Sequence, residues 1–245
     1  MTREQKILSL LAQFDELGIN KQIDYDKFCL YSIVANSAAL DSSTLTDVEV
    51  QLLLDEGISA DGRPMTEQLM VLDLKAAYEQ AITYAKKRVD ISVEMLNKLS
   101  SLVLRNAAIR DTQKTDKLEE LCQSINQKRM AITQTDIIEC YKLSFDTQLQ
   151  LATINSWADG NGRMSRLLMN LMQFEFGIIP TEVIKDNKSK YNAVLVACRE
   201  NGDRELFQNF MFNEHIRNLQ QIIHNYQASI EDNGMAIAKI LFESI

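Results

Sequence analysis

The residues best suited to chemistry in this 245-residue chain lie in one stretch, Asn155-Ser156-Trp157-Ala158-Asp159-Gly160-Asn161-Gly162-Arg163-Met164-Ser165-Arg166. A carboxylate, two glycines around an amide and two arginines at i and i+3 stand where a loop turns into a helix. Glycines there let successive N–H groups converge on one oxyanion. The helix that follows adds its unpaired N-terminal donors and the positive end of its dipole. Arg163 and Arg166 lie on neighbouring parts of one face and can hold a polyphosphate. Asp159, just outside, can hold a magnesium ion against it. The stretch reads as a phosphate-binding helix start.

Calcium is the first alternative, because Asp-Gly-Asn-Gly also occurs in calcium loops. Setting Gly162 at the obligatory sixth place puts Trp157 first and Leu168 twelfth, where calcium needs carboxylates, so that reading fails. The plainer alternative is a glycine-rich turn whose arginines are surface charges or caps.

At these residues the chain resembles the Fic family, whose pattern is H-x-F-x-[DE]-G-N-G-R-x-x-R. Asp159, Gly160, Asn161, Gly162, Arg163 and Arg166 match it, and Trp157 takes the aromatic slot. The resemblance implies an all-helical Fic/Fido bundle that binds Mg²⁺ and ATP and moves AMP onto a hydroxyl of a target protein. It implies Asp159 as the metal residue, Gly160 to Gly162 as the anion hole, and Arg163 and Arg166 as the phosphate ligands. The family's histidine, however, is Asn155 here, followed by Ser156. That histidine is the general base. An amide offers no useful titration and a weakly basic oxygen, and loss of a base removes about 10²–10⁴-fold of rate. The cradle does not depend on that residue. The plainer role for Asn155 is to satisfy local backbone groups.

The elements that must position this stretch are helical, since Gly is sparse at 8, Pro occurs twice, and apolar residues recur at helical spacing. The spacing predicts helices over Thr2–Leu17 and Tyr25–Leu40, the latter with Phe28, Leu30, Tyr31, Ile33 and Val34 as its apolar face. Thr46-Asp47-Val48-Glu49 is a capping box opening a helix that stops near Gly57. Pro64 opens a long helix to Lys87 with Leu69, Leu72, Ala76, Tyr78, Ala81 and Tyr84 on its face. Further helices are predicted over Ser92–Arg105, Asp116–Asn126, Asp136–Ile154, a central one from the motif to Gly177, Lys188–Glu200, Asp203–Gln227 and Ala228–Ser244. The central helix is apolar on nearly every side, which marks it as buried, with Leu167, Leu168, Leu171, Met172 and Phe174 in the core. The chain divides into an N-terminal helical region at 1–90, a core at 91–227 and a C-terminal helix at 228–245 that packs on the body or on a second copy as a homodimer.

The resemblance, which runs from Tyr25 to about Tyr226, covers two further segments. Many Fic proteins carry an inhibitory motif, [ST]-x-x-x-E-[GN], whose glutamate pairs with the second motif arginine. In residues 37–42 Ser37 matches, but Asp41 takes the glutamate slot and Ser42 follows. Aspartate is one methylene shorter, so its pairing with Arg166 is expected to be looser or absent. The plain alternative is a helix-ending Asp-Ser-Ser. Around Asn106–Thr115, where the family has a β-hairpin flap that clamps the target by strand addition, the sequence offers a short polar loop instead.

A formal charge of −8 and a pI near 4.9 argue against nonspecific nucleic-acid binding. Cys29, Cys122, Cys140 and Cys198 show no metal spacing and read as free thiols of a cytoplasmic protein. His215 and His224 form no catalytic or metal pair. No run is apolar and long enough for a membrane span, and the opening residues lack a signal peptide. The sequence thus points to a Fic-like nucleotide-binding protein, a pseudoenzyme with little or no AMP transfer. Two other readings stay open: a transferase using another base, and a structural module with a relic pocket.

Overall fold

The computed structural model describes residues 1–22, 24–106, 115–133 and 135–243, the segment 231–243 by backbone alone. Its ordered elements are helical: α1 Arg3–Glu16, α2 Tyr25–Leu40, α3 Asp47–Glu56, α4 Met65–Lys87, α5 Val93–Val103, α6 Thr115–Ala131, α7 Ile137–Ile154, α8 Asn161–Phe176, α9 Lys188–Asn201 and α10 Arg204–Glu243. Short 3-10 turns at Ile19–Lys21 and Lys185–Asn187 complete them. The predicted all-α class is what the chain adopts.

Local chemistry explains most boundaries. Thr2 and Gln5 make a reciprocal capping box at α1, and Thr46 and Glu49 make the predicted one at α3. Pro64 precedes α4, and Gly57, Gly177 and Gly202 end α3, α8 and α9 in the left-handed conformation that glycine adopts freely.

Helix α8 is the axis of the bundle. It packs most extensively on α7 and α4, and every residue from Arg163 to Gln173 is buried. Two apolar clusters meet along it. One joins α2, α4, α5, α6 and α8; the other joins α1, α7, α9 and α10 with Met169 of α8. The prediction of an almost wholly apolar α8 needs one refinement. Its buried Asn170 accepts from Tyr78 Oη (3.0 Å) and donates to the Thr181 carbonyl (3.0 Å). Gln173 accepts from the Thr181 N–H (2.8 Å) and donates to Ser144 Oγ (3.0 Å). Buried amides with partners hold the helix in one register.

Three sequence expectations are corrected. Phe28, assigned to the inward face of α2, is 53 % exposed, and Leu72 of α4 is 40 % exposed. The α2 face is instead Ile33, Val34, Ala35, Ser37, Ala38 and Leu40, because the small Ala and Ser residues let α2 approach α4 closely. The predicted boundary at 227/228 is absent: α10 runs unbroken from Arg204 to Glu243, since neither Gln227 nor Ala228 carries a stop signal. The expected polar loop at 106–115 falls mostly on 107–114, outside the described residues.

Residues Gly177 to Asn187 connect α8 to α9 and cross beside α2. Glu182 Oε2 accepts from Ser32 Oγ (2.7 Å) and Asn36 Nδ2 (2.7 Å) of α2. Burial pushes the Glu182 carboxyl up to about 7, against the two donors, with Asp47 adding to the rise. A carboxyl whose folded pKa is raised contributes stability that is complete below its unfolded pKa and lost as pH rises through the folded value. Glu182→Gln should therefore gain thermal stability over the parent between about pH 4.5 and 8. A melting-temperature difference that is the same at both ends of that range would contradict this.

Candidate functional site

The site forms where α7 ends and α8 begins. Asn155 closes α7 in the left-handed region (φ +52°), its N–H bonded to the Leu151 carbonyl (3.2 Å). Asparagine tolerates that conformation better than most residues, and histidine is also enriched there. Asn155 thus terminates the helix.

The turn that follows is stapled by its own residues. The Asn161 Oδ1 accepts from the Trp157 N–H (3.0 Å) and its Nδ2 donates to the Trp157 carbonyl (2.5 Å). The Asn161 side chain is thereby spent on closing the loop, which leaves its backbone N–H as its contribution to an anion hole. Trp157 is 3 % exposed and belongs to the larger apolar cluster, so it anchors the turn to the core. Gly160 sits at φ +73°, where a Cβ would come within 2.7 Å of Leu104 Cδ2. The first helical hydrogen bond of α8 runs from the Met164 N–H to the Gly160 carbonyl, so the N–H groups of Asn161, Gly162 and Arg163 precede it at the helix start.

Both arginines are buried, at 6 % and 5 % exposure. Arg163 Nη2 donates to Asp159 Oδ2 (2.9 Å) and Nη1 to the Val103 carbonyl (3.3 Å). Its Nε lies 2.7 Å from Asp41 Oδ2, a contact of opposite charges without the alignment of a hydrogen bond. Arg166 donates through Nε to Ser37 Oγ (3.0 Å), and through Nη2 to the Ser37 carbonyl (3.0 Å) and Asp41 Oδ1 (3.3 Å). Burial pulls the Arg166 pKa down, but the Asp41 charge and the flanking Tyr191 and Tyr78 outweigh it, and the net shift is upward.

The structure therefore brings together Ser37, Asp41, Asp159, Gly160, Gly162, Arg163 and Arg166. Asp41 does reach Arg166, at the long end of a hydrogen bond, and its tighter contact is to Arg163. One carboxylate thus lies between both guanidinium groups. Its Oδ1 also lies 3.4 Å from where a Gly162 Cβ would stand, so it covers the cradle's second glycine. Ser42, next in chain, adopts φ +84°, a left-handed conformation that glycine and asparagine adopt more readily than serine.

Asp159 is 61 % exposed, with Oδ1 accepting from the Gly160 N–H (2.6 Å). Among the described residues no cluster of three acidic, cysteine or histidine groups could hold a metal by itself. The donor set suits Mg²⁺ carried on phosphates with one protein carboxylate, and does not suit a free-standing metal centre.

Sequence reading missed Asp73. This buried residue of α4 accepts from the Asn106 N–H (3.0 Å) and Nδ2 (2.8 Å), fixing the backbone just beyond α5. Burial raises its pKa, opposed by the Asn106 donors and then by the Arg105 and Arg163 charges. A lone aspartate within Val71-Leu72-Asp73-Leu74 was the available signal.

Comparison with known proteins agrees with the fold. No family model matches the chain. Among curated proteins it is similar to protein adenylyltransferase fic-1 of Caenorhabditis elegans, 23 % identical over 183 residues, covering 66 % of this chain and 35 % of that protein. Of solved structures, residues 134–508 of C. elegans Fic-1 superpose with a TM-score of 0.76 at 21 % identity, covering 93 % of this chain and 73 % of that one. A Fic domain containing signaling protein from Bacteroides thetaiotaomicron superposes with a TM-score of 0.74 at 19 % identity, covering 91 % and 98 %. This chain is a Fic-fold protein. The Fic-fold chain spans 35–40 % of the length of the curated relatives it matches first. Among its described residues no helix is long and apolar enough to cross a membrane.

Gly160→Ala should destabilise the Fic-fold chain by about 1–3 kcal/mol, from left-handed strain plus overlap with Leu104. Gly177→Ala, at φ +69° with nothing within 4 Å of its Cβ, should show the strain alone. Denaturant unfolding of the pair reads the difference, and equal losses would remove Leu104 from the account. Ser42→Asn should stabilise by a few tenths to about 1 kcal/mol, since asparagine tolerates that backbone better. A lower melting temperature for this variant would contradict the strain.

Proposed function

We propose that this chain is a Fic-type nucleotide-binding protein whose Mg·ATP pocket is built on Asp159–Arg166. In the state described, Asp41 blocks the pocket, and AMP transfer is slight or lost because Asn155 occupies the base position. The observation that carries the reading is one carboxylate lying between Arg163 and Arg166 and over Gly162. A carboxylate there supplies the negative charge that the cradle's donors are arranged to meet.

On this reading Asp159 would hold Mg²⁺ together with the phosphates, and the ion would neutralise their charge. Arg163 must give up Asp41 and Asp159 to engage phosphate, and Arg166 must give up Asp41. The helix-start N–H groups supply the oxyanion contacts. Asn155 can orient a target hydroxyl but cannot take its proton. The partners are then a nucleotide and a target protein.

One observation favours a second reading. The bonds of Arg166 to Ser37 and Asp41 tie α2 to α8, which is also what structural arginines in a relic pocket would do. Calorimetric titration separates the two. Asp41→Ala is expected to bind Mg·ATP about tenfold or more tightly than the parent, and adding Arg163→Ala should abolish that binding. No binding by Asp41→Ala at millimolar ATP would leave the structural role alone. If Asp41→Ala binds, Asn155→His in that background should raise AMP transfer by about 10²–10⁴-fold. Transfer unchanged by the histidine would defeat the assignment of the base position.

A further inference from the structure

Helix α2 carries two pairs of polar side chains, each spaced i and i+4. Ser37 and Asp41 face the arginines of α8. Ser32 and Asn36 face the connector between α8 and α9, where both donate to Glu182 Oε2. At 100° per residue the two pairs lie about 140° apart around the helix, with Ile33 and Leu40 between them in the core. A helix held at one edge of its buried stripe, by Ser32 and Asn36, and again near the middle of it, by Ser37 and Asp41, can neither roll nor slide without breaking one pair.

The connector is itself firmly placed. Thr181 is buried and bonded to Gln173 of α8, the Glu182 carbonyl accepts from Asn218 Nδ2 of α10 (2.8 Å), and Val183 is buried. Further along, Lys188 donates to Ser42 Oγ (3.1 Å) and Lys185 lies 3.8 Å from Asp47, so the same segment also meets the turn after α2. A void of about 10 Å³ is bordered by Asn36, Ser37, Arg166 and Glu182 together with Leu40, Tyr78 and Met169, so the partners of both polar pairs line one small space.

We infer that the Thr181–Lys188 connector is a latch that sets α2 in the rotation at which Asp41 meets both arginines, with Glu182 as its positioning residue. This rests on the proposed nucleotide pocket for its consequence, and on the connector's contacts for its mechanics. Glu182 touches neither arginine; it acts through Ser32 and Asn36. Nothing in the motif's pattern contains it, and it lies 141 to 150 residues from α2's blocking and gripping residues in sequence.

The test compares the parent chain, Glu182→Ala, Glu182→Gln and the Ser32→Ala/Asn36→Ala double variant at pH 7.5, by amide hydrogen exchange and by Mg·ATP titration. The amide oxygen of glutamine can still accept from both donors, so in Glu182→Gln the amides of α2 should exchange no faster than in the parent and Mg·ATP affinity should stay as it was. In Glu182→Ala and in the double variant, amides of α2 near Ser37 and Asp41 should exchange at least about tenfold faster while those of α7 stay as they were. Their Mg·ATP affinity should move toward that of Asp41→Ala. Unchanged α2 exchange in both variants would overturn the latch, as would equal acceleration in α7, or a Glu182→Gln that behaves like Glu182→Ala. Should Glu182→Ala fail to fold, the double variant alone decides. Failure of Asp41→Ala to take Mg·ATP would overturn the pocket and not the latch, which the exchange measurement then decides by itself.

Discussion

Two guanidinium groups buried at the start of one helix set the terms for everything around them. Removing an unpaired cation from water is far too expensive to leave unanswered, and the answer has to come from other elements. Asp41 arrives from α2, Asp159 from the turn, the Ser37 hydroxyl and carbonyl from α2 again, and the Val103 carbonyl from the end of α5. Two segments distant in sequence, α2 and the end of α5, must therefore converge on the turn and α8, and the apolar clusters supply the packing that holds them there. The same contacts create a tension. An arginine useful to an anion has to be reachable, whereas an arginine useful to the fold has to be occupied. Asp41 resolves it by being partly exposed, at 25 %, while the arginines beneath it are not. The carboxylate is the part that water can reach.

The fold class and most element boundaries were legible because the signals are local. Capping boxes at Thr2 and Thr46, glycines after α3, α8 and α9, and a long apolar α8 each act within one or two turns. The candidate site was legible for the same reason: its cradle is contiguous from Asp159 to Arg166. What escaped depends on which surfaces meet. Periodicity shows that α2 has an apolar side, but Phe28 and Ile33 look alike until α4 covers one and not the other. That Asp41 lies between Arg163 and Arg166 depends on how α2 is placed against α8, which no pattern in the chain encodes. Glu182 and Asp73 are single acids whose partners, Ser32, Asn36 and Asn106, become neighbours only through tertiary packing. The amphipathic run after Gln227 resembles a new element by composition, but no residue there stops a helix, and α10 continues through it.

The satisfied amides inside α8 bear on how much of this arrangement is fixed. Asn170 and Gln173 are committed to Tyr78, Thr181 and Ser144, and every one of those bonds is buried. The C-terminal half of α8 is therefore locked in register by groups that have no solvent alternative. Its N-terminal half is held by ions, one of which is partly wet. Any rearrangement at the cradle has to be absorbed by α2 and the turn, because α8 itself has nowhere to go.

The close approach of Leu104 to Gly160 has a mechanical consequence. With Val103 bonded to Arg163 and Asn106 bonded to Asp73, the last turn of α5 forms one wall of the cradle. A rigid wall shared by two neighbours works as a yoke: a displacement on either side is felt on the other, and equal work is done in both directions. Asn106, tied to Asp73, is thus geared through Leu104 and Val103 to the start of α8, and a displacement at Asn106 would register at Arg163.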